Sequence, residues 1–206
     1  MFDTREKRER SLGTKLFLKP HRCSSPKCAT IRRPSRPGAH GKSRRRAPSE
    51  YGTQLQEKQK FQFIYGLRES QLRNIFKTAL RNPEATGEAL VRLLELRLDN
   101  VVYRLGFAPS RSVARQFVGH GHIHVNGRKV TIPSYRARIG DIISVRKESS
   151  ELILFRELNE TLKGYTLPQW VVHEGALSGK VVGTPHEFDL PLDVNLVVDY
   201  YSKVVK

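Results

Sequence analysis

Three histidines at alternate positions, His120, His122 and His124, lie in the stretch SRSVARQFVGHGHIHVNGRKV. Residues that alternate along a strand share one face, so this is the spacing at which imidazoles could chelate a metal ion. Gly119 and Gly121 make the approach to such a strand irregular, and the stretch holds no carboxylate or thiol to complete a tetrahedral set. A second reading makes His120 the cap of a helix C-terminus, where a ring N–H reaches the last free carbonyls. A third, the leading one, joins the histidine to Arg111, Arg115, Arg128 and Lys129 in a patch that contacts a nucleic acid.

Periodicity defines the elements that must position these residues. In RSVARQFV, Val113, Ala114, Phe117 and Val118 fall on one helical face and Arg111, Ser112, Arg115 and Gln116 on the other, with Ser110 as N-cap. The segment GEALVRLLELRLDNVVYRL repeats the design: Leu98, Val101, Val102 and Leu105 on one side, Arg97, Asn100 and Arg104 beside them, and a bend expected near Arg97. After Gly119 the period changes to two, and Asn126-Gly127 is a strong hairpin signal. The run DIISV at 141–145 supplies a further strand, giving a unit of two helices on a few short strands. Upstream, SEYGTQLQEKQK and SQLRNIFKTAL read as helices, the second with Leu72, Ile75, Phe76, Ala79 and Leu80 at helical spacing. Pro83 and Gly87 interrupt the pattern, and Thr86 can cap the next helix. The tail LPQWVVHEGALSGKVVGTPHEFDLPLDVNLVVDYYSK is apolar enough to pack on the helices of 49–94, and is expected to complete that helical domain.

Charge indicates the partner. The 206 residues carry 37 Lys and Arg against 20 Asp and Glu, a net charge of +17, far beyond what solubility needs, which points to a polyanion. Fifteen of the cations, against three acids, fall in residues 1–46. There RRPSRPGAHGKSRRRAPSE has almost no apolar side chains to offset the entropy of ordering, so it is expected to fold onto its partner. Arginine dominates, and a planar guanidinium forks onto phosphate and stacks on bases, which suits structured RNA. No run of 18 apolar residues exists to cross a bilayer, and the N-terminus lacks the apolar core of a secretory signal. Only two cysteines, Cys23 and Cys28, occur, which fits a reducing compartment. The expectation is a cytoplasmic, membrane-free α+β protein: a basic extended N-terminal arm over 1–46, a helical domain over 47–94 completed by 184–206, and a two-helix, short-strand RNA-binding domain with following strands over 95–183.

With these residues in view, LELRLDNVVYRLGFAPSRSVARQFVGHGHIHVNGRKVTIPSYRARIGDIISV closely resembles the S-four RNA-binding domain. PGAHG at 37–41, SEYGTQLQEKQK at 49–60, RLDNVVYRLGFA at 97–108 and VVDYYSK at 197–203 extend the resemblance to the whole bacterial-type small-subunit ribosomal protein S-four family. The resemblance implies a primary binder of small-subunit ribosomal RNA that nucleates assembly of the subunit body at a multi-helix junction. It also implies neighbouring small-subunit ribosomal proteins as partners, a place near the channel through which mRNA enters, and a part in decoding accuracy. Onto matching positions it carries Arg97, Asn100, Arg104, Ser110, Arg111, Arg115, Gln116, His120, Asn126, Arg128, Lys129 and Arg136 as the RNA face. Arg32, Arg33, Arg44, Arg45 and Arg46 of the arm form a second site, and Lys58 is a further candidate for RNA binding.

One departure from the family pattern bears on metal. Many relatives join an opening C-x-x-C to a later C-x4-C to hold zinc, and here only the later pair, CSSPKC, is present; the first falls by count at Glu6 and Glu9. Two thiolates, even with His21, make an incomplete structural site, so no cofactor is expected and RNA is expected to order the arm. Catalysis is not expected, because no segment outside the RNA-binding unit assembles a nucleophile with a base. A DNA-reading helix-turn-helix is disfavoured by the Gly and Pro of GFAPS and by the lack of a dimerising segment.

Overall fold

A computed structural model of the chain describes residues 4–43, 47–156, 165–185 and 192–204. The chain divides into two units, Met1–Gly87 with Asp189–Lys206, and Glu88–Phe188.

The first unit begins with three short helices, α1 (Thr4–Leu12), α2 (Pro20–Cys23) and α3 (Ala29–Arg32). This corrects the expectation of an extended arm for its first part. Leu12, Leu16, Cys23 and Cys28 are buried, and the Glu9 carboxylate is buried with them, so four apolar side chains that an average over 1–46 conceals give this segment a small core. Beyond Arg32, residues 33–43 and 47–49 carry neither helix nor strand, as their Pro, Gly and Ser content leads one to expect. α4 (Glu50–Tyr65) is capped by the Ser49 hydroxyl, which accepts from the Gly52 amide at 3.2 Å, and stops at left-handed Gly66. α5 (Glu69–Ala79) buries Leu72, Phe76 and Ala79, while Leu80 lies outside the stripe and is exposed. The C-terminal helix, Val194–Val204, packs against α4 and stacks Tyr201 on Phe76 at 4.9 Å.

The second unit holds most of α6 (Thr86–Glu95), then α7 (Leu98–Arg104), α8 (Arg111–Gly119), and strands β1 (Ile123–Val125), β2 (Arg128–Lys129) and β3 (Ile142–Val145). A short helix, α9 (Ile153–Arg156), and strands β4 (Val171–Gly175) and β5 (Ser178–Val181) come next, so the C-terminal helix is α10. The bend expected near Arg97 is a full break: its backbone is extended, and it bridges to Arg136. β1 and β2 join through Asn126 and Gly127 with φ of 50° and 76°, the paired left-handed residues of a type I′ hairpin. The sheet runs β2-β1-β3-β5-β4, with every neighbouring pair antiparallel. Leu98, Val101, Val102 and Leu105 of the α7 segment, with Ala114, Phe117 and Val118 of α8, pack in one core with Ile123, Ile143 and Val181 of the sheet.

Of the two readings of the tail, the one that packs all of it on the helices of 49–94 is corrected; β4 and β5 lie within 95–183. Only its last part, α10, joins the helical unit; Trp170, Val171 and Val181 are buried in the second unit's core, and β5 extends the sheet from β3. The close fit at Gly179 explains why: a Cβ there would lie 2.4 Å from Leu105 Cδ2, so the hairpin presses directly onto α7's end.

Candidate nucleic-acid interface

Two buried carboxylates organise the cations of α7 and α8. Glu95, the last residue of α6, accepts from Arg104 Nε at 2.8 Å and Nη2 at 3.0 Å, and from Asn100 Nδ2 at 2.7 Å. Asn100 Oδ1 in turn accepts from Arg111 Nε at 2.7 Å, and the Arg111 guanidinium lies 4.5 Å from the centre of the Tyr103 ring. Asp99 forms the second node. Arg97 donates to both its oxygens, at 3.1 and 2.8 Å, and Arg115 Nη1 lies 3.6 Å away. The spacing does this: Asn100 and Arg104 lie one helical turn apart on α7, as do Arg111 and Arg115 on α8. The Ser110 hydroxyl, accepting from the Val113 amide, sets where α8 starts.

Around these nodes lies an exposed rim. Gln116 and His120 project from the end of α8, and Asn126, Arg128 and Lys129 from the hairpin. Gly121, with φ of 77°, makes the left-handed turn that leads from α8 into the hairpin. Asn126 is held from both ends of its amide, donating to Asp141 at 2.9 Å and accepting from the Ile142 amide at 2.9 Å. Arg136 is exposed beside the bridge to Arg97. A planar, bidentate guanidinium in a fixed place suits phosphate, and so does a rim of mobile ammonium and amide groups around it.

Residues 3–95 match the family described as Ribosomal protein S4/S9 N-terminal domain, and residues 96–143 match the S4 domain. A small ribosomal subunit protein uS4 of Natranaerobius thermophilus is 50% identical over 195 residues, covering 93% of each chain. That of Thermus thermophilus is 51% identical over 194 residues, again covering 93% of each. The chain belongs to the uS4 family.

Within this uS4 framework the site residues named from sequence separate into three groups. Gln116, His120, Asn126, Arg128, Lys129 and Arg136 are exposed, and Arg104, Ser110, Arg111 and Arg115 are half-buried. Arg97 and Asn100 are buried beneath them, so they hold the face in place and present little of themselves. The candidate at Lys58 is corrected. Lys58 is buried, with its ammonium 2.7 Å from Glu69 Oε2 and 5.0 Å from the Tyr200 ring centre, which makes it part of the first unit's core. Arg32 and Arg33 are exposed at the end of α3, and Arg44, Arg45 and Arg46 lie outside the described residues.

The histidines also part company. His120 is the C-cap residue of α8 by its backbone, its amide donating to the Gln116 carbonyl. His122 packs edge-on to Phe117 and pairs with Ser149 Oγ at 2.9 Å. Burial first, then His120 and the cations Arg146 and Lys129, hold its pKa below the ordinary value. Among the described residues no group of three or more His, Cys, Asp or Glu is placed to hold a metal. The zinc pattern of the family finds no fit in the donors present. Glu9 Oε1 accepts the amides of Leu16 and Leu18, each at 3.1 Å, and Cys28 Sγ lies 3.0 Å from Thr30 Oγ1. Cys23, 3.8 Å from Glu9, adjoins Cys28; burial pushes the Cys23 thiol up, while the Thr30 hydroxyl draws the Cys28 thiol down, and two thiols beside a carboxylate already committed to backbone amides leave a tetrahedral set incomplete.

Sequence reasoning passed over Glu95, Asp99 and Tyr103. The signal was present: Glu95, Arg97 and Asp99 alternate in sign across the helix break, a pattern that brings opposite charges together once the chain bends there.

Proposed function

We propose that this chain is a structural component of the small ribosomal subunit that binds small-subunit ribosomal RNA through the α7, α8 and hairpin face. The observation that carries the reading is the pairing of Arg104 and Arg115 with buried Glu95 and Asp99, beside exposed Arg128 and Lys129. It fixes guanidinium planes in space, and a fixed array reads RNA shape, while the rim neutralises phosphate. Family membership supports a structural role and not an enzymatic one, and a place with the ribosome in the cytoplasm. It also supports the finer assignment: primary binding that nucleates assembly of the subunit body, contacts with neighbouring small-subunit proteins and with mRNA where it enters, and a contribution to decoding accuracy. Chemical footprinting of the full chain on small-subunit RNA, with large-subunit RNA as control, tests it. Protection clustered at one junction and surviving moderate salt is expected; diffuse protection of both RNAs, erased by salt, would reduce the protein to a generic basic binder.

A further inference from the structure

The first unit displays a strained aromatic side chain that the face of the second unit does not use. Phe17 has φ of 53°, in the left-handed region where a bulky side chain is an outlier. Its ring is 54% exposed, whereas the preceding Leu16 is buried at 7%. The backbone is therefore turned so that residue 16 enters the small core and residue 17 leaves it.

A buried carboxylate enforces that turn. Glu9, 1% exposed, accepts the amides of Leu16 and Leu18 on a single oxygen, so it grips the chain on both sides of Phe17. Strained backbone persists only where its surroundings over-determine it, and it collects at sites of function. Burial of the ring would have supplied an ordinary structural reason, and the ring is not buried. Over one face of it stands a cation: Lys15 Nζ is 5.1 Å from the ring centre. The acids nearby are turned away from solvent, Glu9 by burial and Glu6 by its pairing with Arg22 at 3.0 Å. An exposed aromatic face beside an ammonium, in a segment with fifteen Lys and Arg against three Asp and Glu, matches the composition of a stacking platform for a nucleobase.

We propose that Phe17 is such a platform, on which an unpaired base of RNA stacks, with Lys15 meeting the adjoining phosphate and Glu9 as the positioning residue that presents the ring. The inference rests on the reading of this chain as a binder of small-subunit ribosomal RNA. The positive surroundings favour a polyanion over a protein surface as the occupant.

The test compares full-length variants for binding to small-subunit ribosomal RNA transcribed in vitro, at one salt concentration, with thermal melting of each protein alongside. Phe17→Gly relieves the backbone, so its melting temperature should hold or rise while affinity drops roughly 5- to 100-fold, the loss of one stacked base. Phe17→Leu, apolar but without a π-face, should lose nearly as much, and Phe17→Tyr should bind as the native chain does. Ultraviolet cross-linking of the native complex should join Phe17 to a single nucleotide. Unchanged RNA affinity in both Phe17→Gly and Phe17→Leu would overturn the platform and leave the reading of the second unit standing. So would unchanged RNA affinity accompanied by lost binding to a neighbouring small-subunit protein, which would assign the ring to a protein contact. Failure of the native chain to prefer small-subunit over large-subunit RNA would remove both readings together.

Discussion

Replacing Glu95 by Gln removes a negative charge from beneath the face proposed to bind RNA, yet it should weaken binding. Coulomb's law alone predicts the opposite: a unit charge roughly 8 Å from a phosphate in water is worth about 0.5 kcal/mol, so its loss should tighten binding about twofold. The hydrogen-bond inventory outweighs this. Glu95 is 1% exposed and receives three donors, two on Oε2 from Arg104 Nε and Asn100 Nδ2 and one on Oε1 from Arg104 Nη2. A glutamine has one oxygen and one NH2 group, so either placement of its amide sets donor against donor. The milder placement faces the NH2 toward Arg104 Nη2 and leaves that guanidinium without its bidentate partner. Hydrogen bonds to charged groups contribute about 1.5–3 kcal/mol each, so the unit should lose about 2 kcal/mol of stability. Arg104, and Arg111, whose Nη2 lies 3.8 Å from the same Oε1, should lose their fixed orientation, with about a tenfold loss of affinity for small-subunit RNA. Fluorescence anisotropy at constant ionic strength, with urea unfolding of the same preparations as control, measures both. A folded Glu95→Gln protein that binds small-subunit RNA more tightly than the native chain would refute the positioning argument. Glu95→Asp, which keeps the charge but withdraws it by one methylene, should fall between the two.

Other perturbations test the same structure. Gly179→Ala places a methyl group 2.4 Å from Leu105 Cδ2 and 3.2 Å from the Val172 carbonyl, and Leu105 is fully buried and cannot swing aside. A loss of about 1–3 kcal/mol is expected, read in urea through the fluorescence of buried Trp170, the single tryptophan. Burial alone would raise the pKa of Glu69, but hydrogen bonds from Lys58 and Tyr201 outweigh it and hold the carboxyl below its ordinary value of 4.5. The ionised form therefore stabilises the fold, a contribution complete above 4.5 and lost as pH falls through the lower folded value. Glu69→Gln should lower stability at neutral pH and flatten the acid limb; an acid limb as steep as the native one would remove Glu69 from the account. If roughly six to ten phosphates are contacted, affinity should drop by about three to five orders of magnitude between about 50 and about 200 mM salt. Lys129→Ala should reduce that slope by about one and weaken all RNAs alike, while unchanged affinity in the Arg111→Ala, Arg115→Ala double variant would mean the face is misassigned.

What the sequence disclosed depended on whether the deciding interaction was local. The faces of α8 could be read at 100° per residue because Ala114, Phe117 and Val118 answer to one core, and Asn126-Gly127 specifies its own turn. The break at Arg97 was visible only as a bend, because what ends α6 is a bridge to Arg136, remote in sequence. The same distance left the strands expected within 95–183 without a partner: the apolar residues of β4 and β5 could be recognised, but the pairing of β5 with β3 could not. For the arm, charge dominated the average and concealed Leu12, Leu16, Cys23 and Cys28. At the candidate site, the exposure of Arg128, Lys129 and Arg136 was legible, since a charged side chain on a short hairpin or loop stays in water. Glu95 and Asp99 were not, since an acid is out of place in a surface for RNA until its burial is seen.

That burial recurs and has a physical logic. Among the described residues the buried charged side chains are five carboxylates, Glu9, Glu57, Glu95, Asp99 and Asp141, against two cations, Lys58 and Arg97, in a chain where cations outnumber acids by 37 to 20. A buried carboxylate costs several kcal/mol in lost hydration and is retained only if donors surround it. Here they do: Glu9 takes the amides of Leu16 and Leu18, Asp99 both arms of Arg97, and Asp141 the Asn126 amide and the Arg138 backbone. An acid left on the surface would subtract from the field that draws RNA, whereas one placed below aligns the donors above it and leaves the outer surface positive. On the RNA face proposed above, exposed Arg128 and Lys129 are assigned to how strongly RNA is held, and the arginines seated on Glu95 and Asp99 to which RNA shape is accepted. That proposal gives affinity and discrimination to different side chains, with the buried acids Glu95 and Asp99 separating them.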